Sequence, residues 1–472
     1  MKQLITIVNL VLLINICACK KNHVDNGGSP DPASNKTITS FIIKAIDNAE
    51  LTTDIIGSIS TDTVFLSVPN GIDISSLKPT IVHSGSSITP GSGTAQNFTA
   101  AVDYIVKAID NSTKHYVAVI KTIIKSTVYV GSTDGKLYAL DGDNGNLKWS
   151  YTTGAGIGIG GPTYYNGTVY IGCSDKNIHA VDATTGALKW KYLSHGDLSY
   201  ATPTLYNGVL YFGSANSSYL YAINAQTGTL IWERHYSSNP WNPTVVNNIL
   251  YVSHFSGQGS YNATTGQPMV SFAGSDICAD NPLVVNGIMY AGKETSAVTA
   301  YDAVTASFIW KFSSPSGGAT AGVGPAGPTL GDGIIYNVIQ TQMLAMDSAT
   351  GVLRWRFIGN SGVPGGKFSA PSVANKILYT GNEDAFFYAL DAYTGTVRWK
   401  FGDVSNITTA SNGTVAGHVV YFGSRNKNIY ALNAFNGKVR WQYLTGGPVY
   451  AGPCVVTDNL VVYHPGISGE HQ

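Results

Sequence analysis

The sequence predicts an all-β chain in which eight copies of a four-stranded sheet follow a small β-sandwich. Three observations lead there. The 472 residues include 53 Gly and 28 Tyr but only 12% charged side chains, a composition that suits strands joined by tight turns. A tryptophan, replaced once by Val270, recurs every 38–45 residues from Trp149 onward. Each recurrence ends the same run of alternating apolar segments broken by Asn-Gly-like and Asp-x-x-x-Gly turns. The balance of 28 basic against 28 acidic residues argues against a nucleic-acid partner, which would call for a basic excess. An apolar fraction of 44% excludes a disordered chain.

Residues 1–18 read as a signal peptide. Lys2 precedes an apolar run over 4–16, shorter than the ~20 residues a membrane-spanning helix needs. Ile16-Cys17-Ala18-Cys19 resembles the lipobox of bacterial lipoproteins, which implies cleavage before Cys19 and acylation on it. Lys20 stands where the inner-membrane retention signal has Asp, so the resemblance points to the outer membrane. No acidic run follows Cys19, and the expected orientation is towards the periplasm. Residues 19–36 hold two prolines and no apolar period, the composition of a flexible tether.

Residues 37–121 carry four strand-like segments, ITSFIIKAI, TVFLSVP, DYIVKAI and HYVAVIK, separated by turn residues. They predict a small β-sandwich without Cys or Trp. The stretch resembles the immunoglobulin-like accessory modules of bacterial envelope lipoproteins, which implies a spacer between membrane and main domain. Beyond Cys19, three thiols remain, Cys173, Cys278 and Cys454; the expectation is free structural cysteines.

Residues 122–472 contain the repeat. Trp149, Trp190, Trp232, Trp310, Trp355, Trp399 and Trp441 each lie four residues after a turn glycine, or once after Ala306. Asp or Asn opens all eight of these turns. In the second unit PTYYNG, VYIG, IHAV and LKWKY are strands A to D, and Asn166-Gly167 is a type I′ hairpin turn. Such a unit repeated eight times predicts an eight-bladed β-propeller, with each indole docked on the neighbouring blade and its N–H on a carbonyl there. The first unit lacks a strand A, and a strand-A-like segment follows Trp441. The C-terminus is therefore expected to complete the first blade and leave no open edge.

The pattern Ala-x-Asp-x-x-Thr-Gly-x-x-x-Trp, complete at Ala180, Asp182, Gly186 and Trp190 and again at Ala389, Asp391, Gly395 and Trp399, resembles the PQQ-like eight-bladed propellers. That family includes quinoprotein dehydrogenases and non-enzymatic scaffolds similar to the outer-membrane barrel assembly factor B. The motif is structural and does not choose between them. The enzymes often carry an adjacent cysteine pair and calcium ligands; this chain has no such pair beyond Cys19, though Asp276 and Asp280 are available carboxylates. Gly156-x-Gly158-x-x-Gly161 matches a dinucleotide fingerprint by letter but has no crossover helix. Asp141-Gly142-Asp143-Asn144-Gly145 is read as a repeat turn rather than a calcium loop.

The A–B and C–D turns are short and lie on one side of the ring, whereas the D–A junctions on the other side vary. Candidate binding residues there are His195, Asp197, Tyr200, Trp241, Asp276, Asp280, Lys367 and Phe368. No catalytic residue, metal or cofactor is assigned. The expected protein is a lipid-anchored envelope scaffold, a monomer or a member of a complex, that binds a protein or glycan without catalysis. A PQQ-dependent dehydrogenase and a carbohydrate-binding lipoprotein are the alternatives. Cys19→Ala tests the anchor: the variant should stay unprocessed or leave the membrane fraction, and normal processing with unchanged fractionation would refute lipidation.

Overall fold

The computed structural model describes residues 34–464 apart from 50, 52, 70–71, 124, 241, 255–256, 273–280, 294–296, 314–326, 340, 360–367 and 403–410. Two compact units part after Ile123. Cys19, Trp241, Asp276, Cys278, Asp280 and Lys367 lie outside the described residues.

The first unit is a two-sheet sandwich. All four expected segments form strands, Ile38–Ile43, Thr63–Pro69, Val102–Lys107 and Thr113–Ile123. Four shorter strands complete sheets of three and five strands, with Thr63–Pro69 running parallel to Thr113–Ile123. Alternation puts Phe41, Val64, Leu66, Tyr104, Val106 and Tyr116 into one core.

The second unit is the eight-bladed propeller. Blade 2 shows the plan: Thr163–Tyr165, Thr168–Gly172, Asn177–Asp182 and Leu188–Leu193 pair in that order, all antiparallel. Blades 3 to 8 repeat it. Blade 1 takes strands B to D from Ser126–Ser132, Lys136–Asp141 and Leu147–Thr152, and its strand A from Cys454–Thr457 near the C-terminus. A short fifth strand, Val462–Tyr463, lies beyond it.

Side chains at the ends of the strands join each blade to the next. The carbonyl just after the turn Asp or Asn accepts the indole N–H of the preceding blade's tryptophan. Trp149 donates to Ala183 O at 3.0 Å, Trp190 to Ala225 O at 3.2 Å and Trp355 to Ala392 O at 3.0 Å. The same carbonyl accepts a strand-B tyrosine hydroxyl, as in Tyr129 to Ala183 O at 3.1 Å and Tyr170 to Ala225 O at 2.9 Å. The last blade meets the first by this device: Trp441 and Tyr421 both donate to Gly142 O, at 2.8 and 3.1 Å. Trp232, Trp310 and Trp399 make the equivalent bonds to Ala263, Ser348 and Ala434.

A second set of bonds lies at the start of strand A. Thr163, Thr204, Thr244, Thr329 and Thr414 donate their hydroxyls to the carbonyls of Pro203, Pro243, Pro282, Pro371 and Pro453, each in the next blade, and Ser372 does so to Gly413 O. Proline has no N–H to satisfy, which suits it to the residue before the strand.

The indole also dictates the turn glycine. A Cβ on Gly186, Gly228 or Gly395 would come within 2.8 Å of the ring atoms of Trp149, Trp190 or Trp355. Blade 4 carries Val270 in the tryptophan position, and the turn it faces in blade 5 closes with Ala306 at φ +58°. Without an indole above it, a methyl group is tolerated.

Each turn is capped as its sequence implies. The Asp182 carboxylate accepts the backbone N–H groups of Thr184 and Thr185 and pairs with Lys189 at 3.2 Å. Asn224 caps its turn in the same way. Hydrogen bonds led by the Thr185 N–H hold the Asp182 carboxyl down from 3.8 to about 2. In Asp347 the Arg354 guanidinium leads, again to about 2. A carboxyl depressed on folding stabilises the fold above its unfolded pKa, and that stability is lost as pH falls through the folded value.

Two predictions follow from these contacts. Trp190→Val and Gly228→Ala should each destabilise, Gly228→Ala by at least the roughly 1–2 kcal/mol of a left-handed Cβ. Together they recreate the Val270–Ala306 pair, so the double variant should be less destabilised than the sum, by about 0.5–3 kcal/mol. Strict additivity in denaturant unfolding would remove the indole–glycine coupling. The melting temperature should also fall between pH 4 and 2, and Asp182→Asn should flatten that fall while leaving pH 7 stability nearly unchanged. An unaltered acid profile for Asp182→Asn would show that the turn carboxylate does not carry the dependence.

Candidate functional site

The two sides of the ring differ physically. On one side the A–B and C–D turns of blades 2 to 8 are tied together, as in Ala183 N–H to Gly167 O at 3.0 Å and Ala225 N–H to Gly208 O at 2.9 Å. Asn166 and Gly167 take the positive φ values, 43° and 73°, that a type I′ turn needs. These turns also hold the carbonyls that receive Trp and Tyr, so any remodelling there would loosen the ring. The B–C turns and D–A junctions form the other side; the residue that closes a junction accepts the strand-A Thr or Ser hydroxyl of the preceding blade, but the rest of each junction is free to vary in length and sequence.

That side gathers an aromatic cluster at blades 2 and 3. The His195 ring lies 4.3 Å from Tyr219, and Tyr219 lies 4.8 Å from His235. Tyr219 and Tyr221 share a face of strand Tyr219–Asn224, 6.1 Å apart, because they are two residues apart. Glu233 approaches His195 Nε2 to 3.4 Å at the solvent edge. The His195 backbone N–H donates to the Tyr221 hydroxyl, which fixes the loop on the blade. His195 and His235 are exposed, Tyr219 half-buried. Sequence reasoning found His195 but missed Tyr219 and His235; the available signal was the doublet of tyrosines in one strand C.

The other expected residues divide. Tyr200 is exposed, 42%, in the same junction as His195. Asp197 is not a free acid, because its carboxylate caps the junction by accepting the Ser199 N–H at 2.7 Å. Phe368 corrects the expectation: it is 5% exposed and packs against Phe357 and Tyr388, so it belongs to the core and not to the presented face. The Gly156–Gly161 stretch is a packing seam. A Cβ on Gly160 would strike Ala201 O at 2.3 Å, and Gly160 N–H donates to Ser199 O at 2.9 Å. Asp141 caps its own turn through the Asp143 and Asn144 N–H groups.

A polar cluster that sequence reasoning did not anticipate sits at the B–C turn of blade 2. The Cys173 thiol donates to Asp175 Oδ1 at 2.8 Å, and His179 Nε2 lies 3.0 Å from Asp175 Oδ2. Cys173 Sγ and His179 Nε2 are 3.7 Å apart. Tyr151, from strand D of blade 1, meets His179 Nδ1 at 3.0 Å. Cys173 and His179 are buried and Asp175 half-buried. Burial pushes the thiol up to about 12 and the imidazole below its ordinary value, the latter against the pull of Asp175. These are the three side chains of the described residues grouped as metal donors, with all ligand atoms within 4.8 Å.

Residues 117–312 and 294–459 match the PQQ-repeat family described as outer membrane protein assembly factor BamB, and residues 35–120 match the family described as SGBP, N-terminal. The chain is 27% identical over 202 residues to the tetrathionate hydrolase of Acidithiobacillus ferrooxidans, covering 38% of this chain and 40% of that protein. It is 30% identical over 151 residues to the dehydrogenase subunit of a quinone alcohol dehydrogenase from Gluconobacter oxydans, covering 28% of this chain and 20% of that one. The matches thus span well under half the length of these curated relatives. In fold, the chain is similar to BamB from Moraxella catarrhalis, with a TM-score of 0.51, 16% identity, and coverage of 71% of this chain and 93% of that one. It is also similar to a quinohemoprotein alcohol dehydrogenase from Pseudomonas putida, with a TM-score of 0.51, 15% identity, and coverage of 70% and 71%.

Proposed function

The chain belongs to the PQQ-repeat family described as outer membrane protein assembly factor BamB, and we propose that it is a non-catalytic binding scaffold of the bacterial cell envelope. In this reading a lipid on Cys19 holds it to the outer membrane, and the side of the ring bearing the D–A junctions faces a protein or glycan partner. The observation that carries the reading is the division between the two sides. One consists of short turns of fixed design that receive the Trp and Tyr bonds; the other, beyond the residue that closes each junction, varies and presents His195, Tyr200, Tyr219 and His235 on a fixed scaffold. The carboxylates of Asp134, Asp182, Asp197, Asp347 and Asp391 are engaged in capping turns, which supports a structural use for them.

The aromatic cluster favours a glycan among the partners. Its rings offer a flat apolar surface to the C–H face of a sugar, with the Glu233 carboxylate beside it to accept a hydroxyl. Net zero charge implies binding with weak salt dependence. The quinone dehydrogenase likeness over 28% of the chain supports a second reading, oxidation with a bound quinone.

The test is capture by intact cells and on glycan arrays. His195→Ala with Tyr200→Ala should weaken capture at least about tenfold, the loss of one or two aromatic anchors, without lowering the melting temperature. Undiminished capture would overturn the choice of face. Dye reduction by purified protein given PQQ, calcium and an alcohol or sugar would overturn the non-catalytic reading.

A further inference from the structure

Comparison of the blades with one another isolates one site. In three blades the B–C turn follows one plan: a small polar residue, a turn acid or amide two positions on, and a strand-C tyrosine four beyond that. In blade 1 these are Ser132, Asp134 and Tyr138; in blade 7 Asn382, Asp384 and Tyr388; in blade 8 Ser424, Asn426 and Tyr430. The tyrosine hydroxyl bonds to the turn residue in all three. Blade 2 keeps the carboxylate of Asp175 but puts Cys173 in the first position and His179 in the third. Both replacements are metal donors, and they occur together.

We propose that Cys173, Asp175 and His179 form a binding site for a single zinc ion at the seam between blades 1 and 2. Thiolate, imidazole and carboxylate are a zinc donor set, whereas calcium and magnesium prefer all-oxygen surroundings. The 3.7 Å between Cys173 Sγ and His179 Nε2 matches the edge of about 3.6 Å that a tetrahedral ion spans with Zn–S near 2.3 Å and Zn–N near 2.05 Å. The carboxylate oxygen now lies 2.8 Å from the thiol sulfur, inside hydrogen-bond range, and would move back by about 0.8 Å, to the roughly 3.6 Å edge of a tetrahedral ion, to admit it. Apart from Cys173 and His179, it accepts from the Asn177 N–H of its own turn and the Gly154 N–H of the blade 1 junction.

The surroundings orient the ligands. Tyr151 engages His179 Nδ1 and leaves Nε2 facing Cys173 and Asp175, the outer hydrogen bond that metal-binding histidines commonly make. On binding, the Cys173 thiol proton leaves to solvent and a Zn–S bond forms. The imidazole proton resides on Nδ1, where the Tyr151 oxygen accepts it, and Nε2 gives its lone pair to the ion. Asp175 is 16% exposed at its side chain and marks the way in from solvent, where water can fill the fourth position. Because Tyr151 and Gly154 belong to blade 1, the ion would fasten the junction Gly154–Gly161 to blade 2.

The sister blades supply the control. The full chain is refolded with Zn²⁺ or Co²⁺, desalted and analysed for bound metal, beside Cys173→Ser with His179→Tyr, which recreates the Ser132–Asp134–Tyr138 set. The wild type should retain one zinc per chain, show a thiolate-to-cobalt charge-transfer band, and melt at a higher temperature with zinc than with chelator. The double variant should fold, lose the band and melt identically with or without zinc. Cys173→Ser alone should abolish the band if the double variant fails to fold. Equal metal retention by wild type and variant, or a folded wild type that retains none, would overturn the site.

Discussion

The propeller depends on a single acceptor used at seven of the eight blade junctions: the backbone carbonyl just past the turn Asp or Asn. Each of these junctions must place the carbonyl within reach of the preceding blade, and that requirement propagates into the sequence. The Asp cap shapes the turn so that the carbonyl points outward, the glycine clears room for the indole, and Trp and Tyr supply two donors to two lone pairs. Blade 8 meets blade 1 on Gly142, whose own Cβ position is filled by Ser126 Oγ, so closure admits no side chain there. Each bond is worth only about 1 kcal/mol net. Their value lies in repetition and in fixing the angle between blades while the aromatic rings bury apolar area around them.

Redundancy explains how the ring survives its exceptions. Blade 4 lacks the tryptophan, yet Thr244 still reaches Pro282 in blade 5. Blade 5 has Leu283 in place of the threonine, yet Trp310 and Tyr290 both reach Ser348 in blade 6. Blade 1 has Cys454 as its first strand-A residue, and Trp149 and Tyr129 hold it to blade 2. The Trp and Tyr bonds and the strand-A Thr and Ser bonds lie towards opposite faces, so losing one leaves a hinge restrained by the other.

The repeat, its strands and the C-terminal closure were legible because a tryptophan at fixed phase survives any amount of change between. The tyrosine and Pro-Thr bonds had a signal of equal regularity, Tyr in strand B and Pro before strand A. Strand propensity alone accounts for tyrosine, and a turn for proline, so neither residue announces an inter-blade role. The candidate site was far less legible. His195, Tyr219 and His235 come from a junction, a strand C and a strand D, and only the blade geometry brings them together. Phe368 was misplaced because junction residues near a strand can turn inward, as its bridge to Asn382 makes it do. Cys173 read as a free structural cysteine, and its equivalent in blade 1, Ser132, matches it in volume while saying nothing of its chemistry.

Internal repeats make the chain its own reference, and the reference separates two kinds of departure. Val270 departs from tryptophan, and Ala306 departs from glycine in the turn it faces; one change relaxes the steric demand behind the other, so the pair needs only packing to explain it. Cys173 and His179 depart together as well, but packing does not require it. Serine and tyrosine fill the same positions in blade 1, where Ser132 donates to Gly447 O and Tyr138 to the equivalent carboxylate of Asp134, and the blade is intact. A buried thiol and imidazole in their place are no better as hydrogen-bond partners, and both resist ionisation where they sit. What they add is affinity for a soft or borderline cation. A paired departure with a steric counterpart therefore marks compensation within the fold, and one without it marks chemistry beyond the fold.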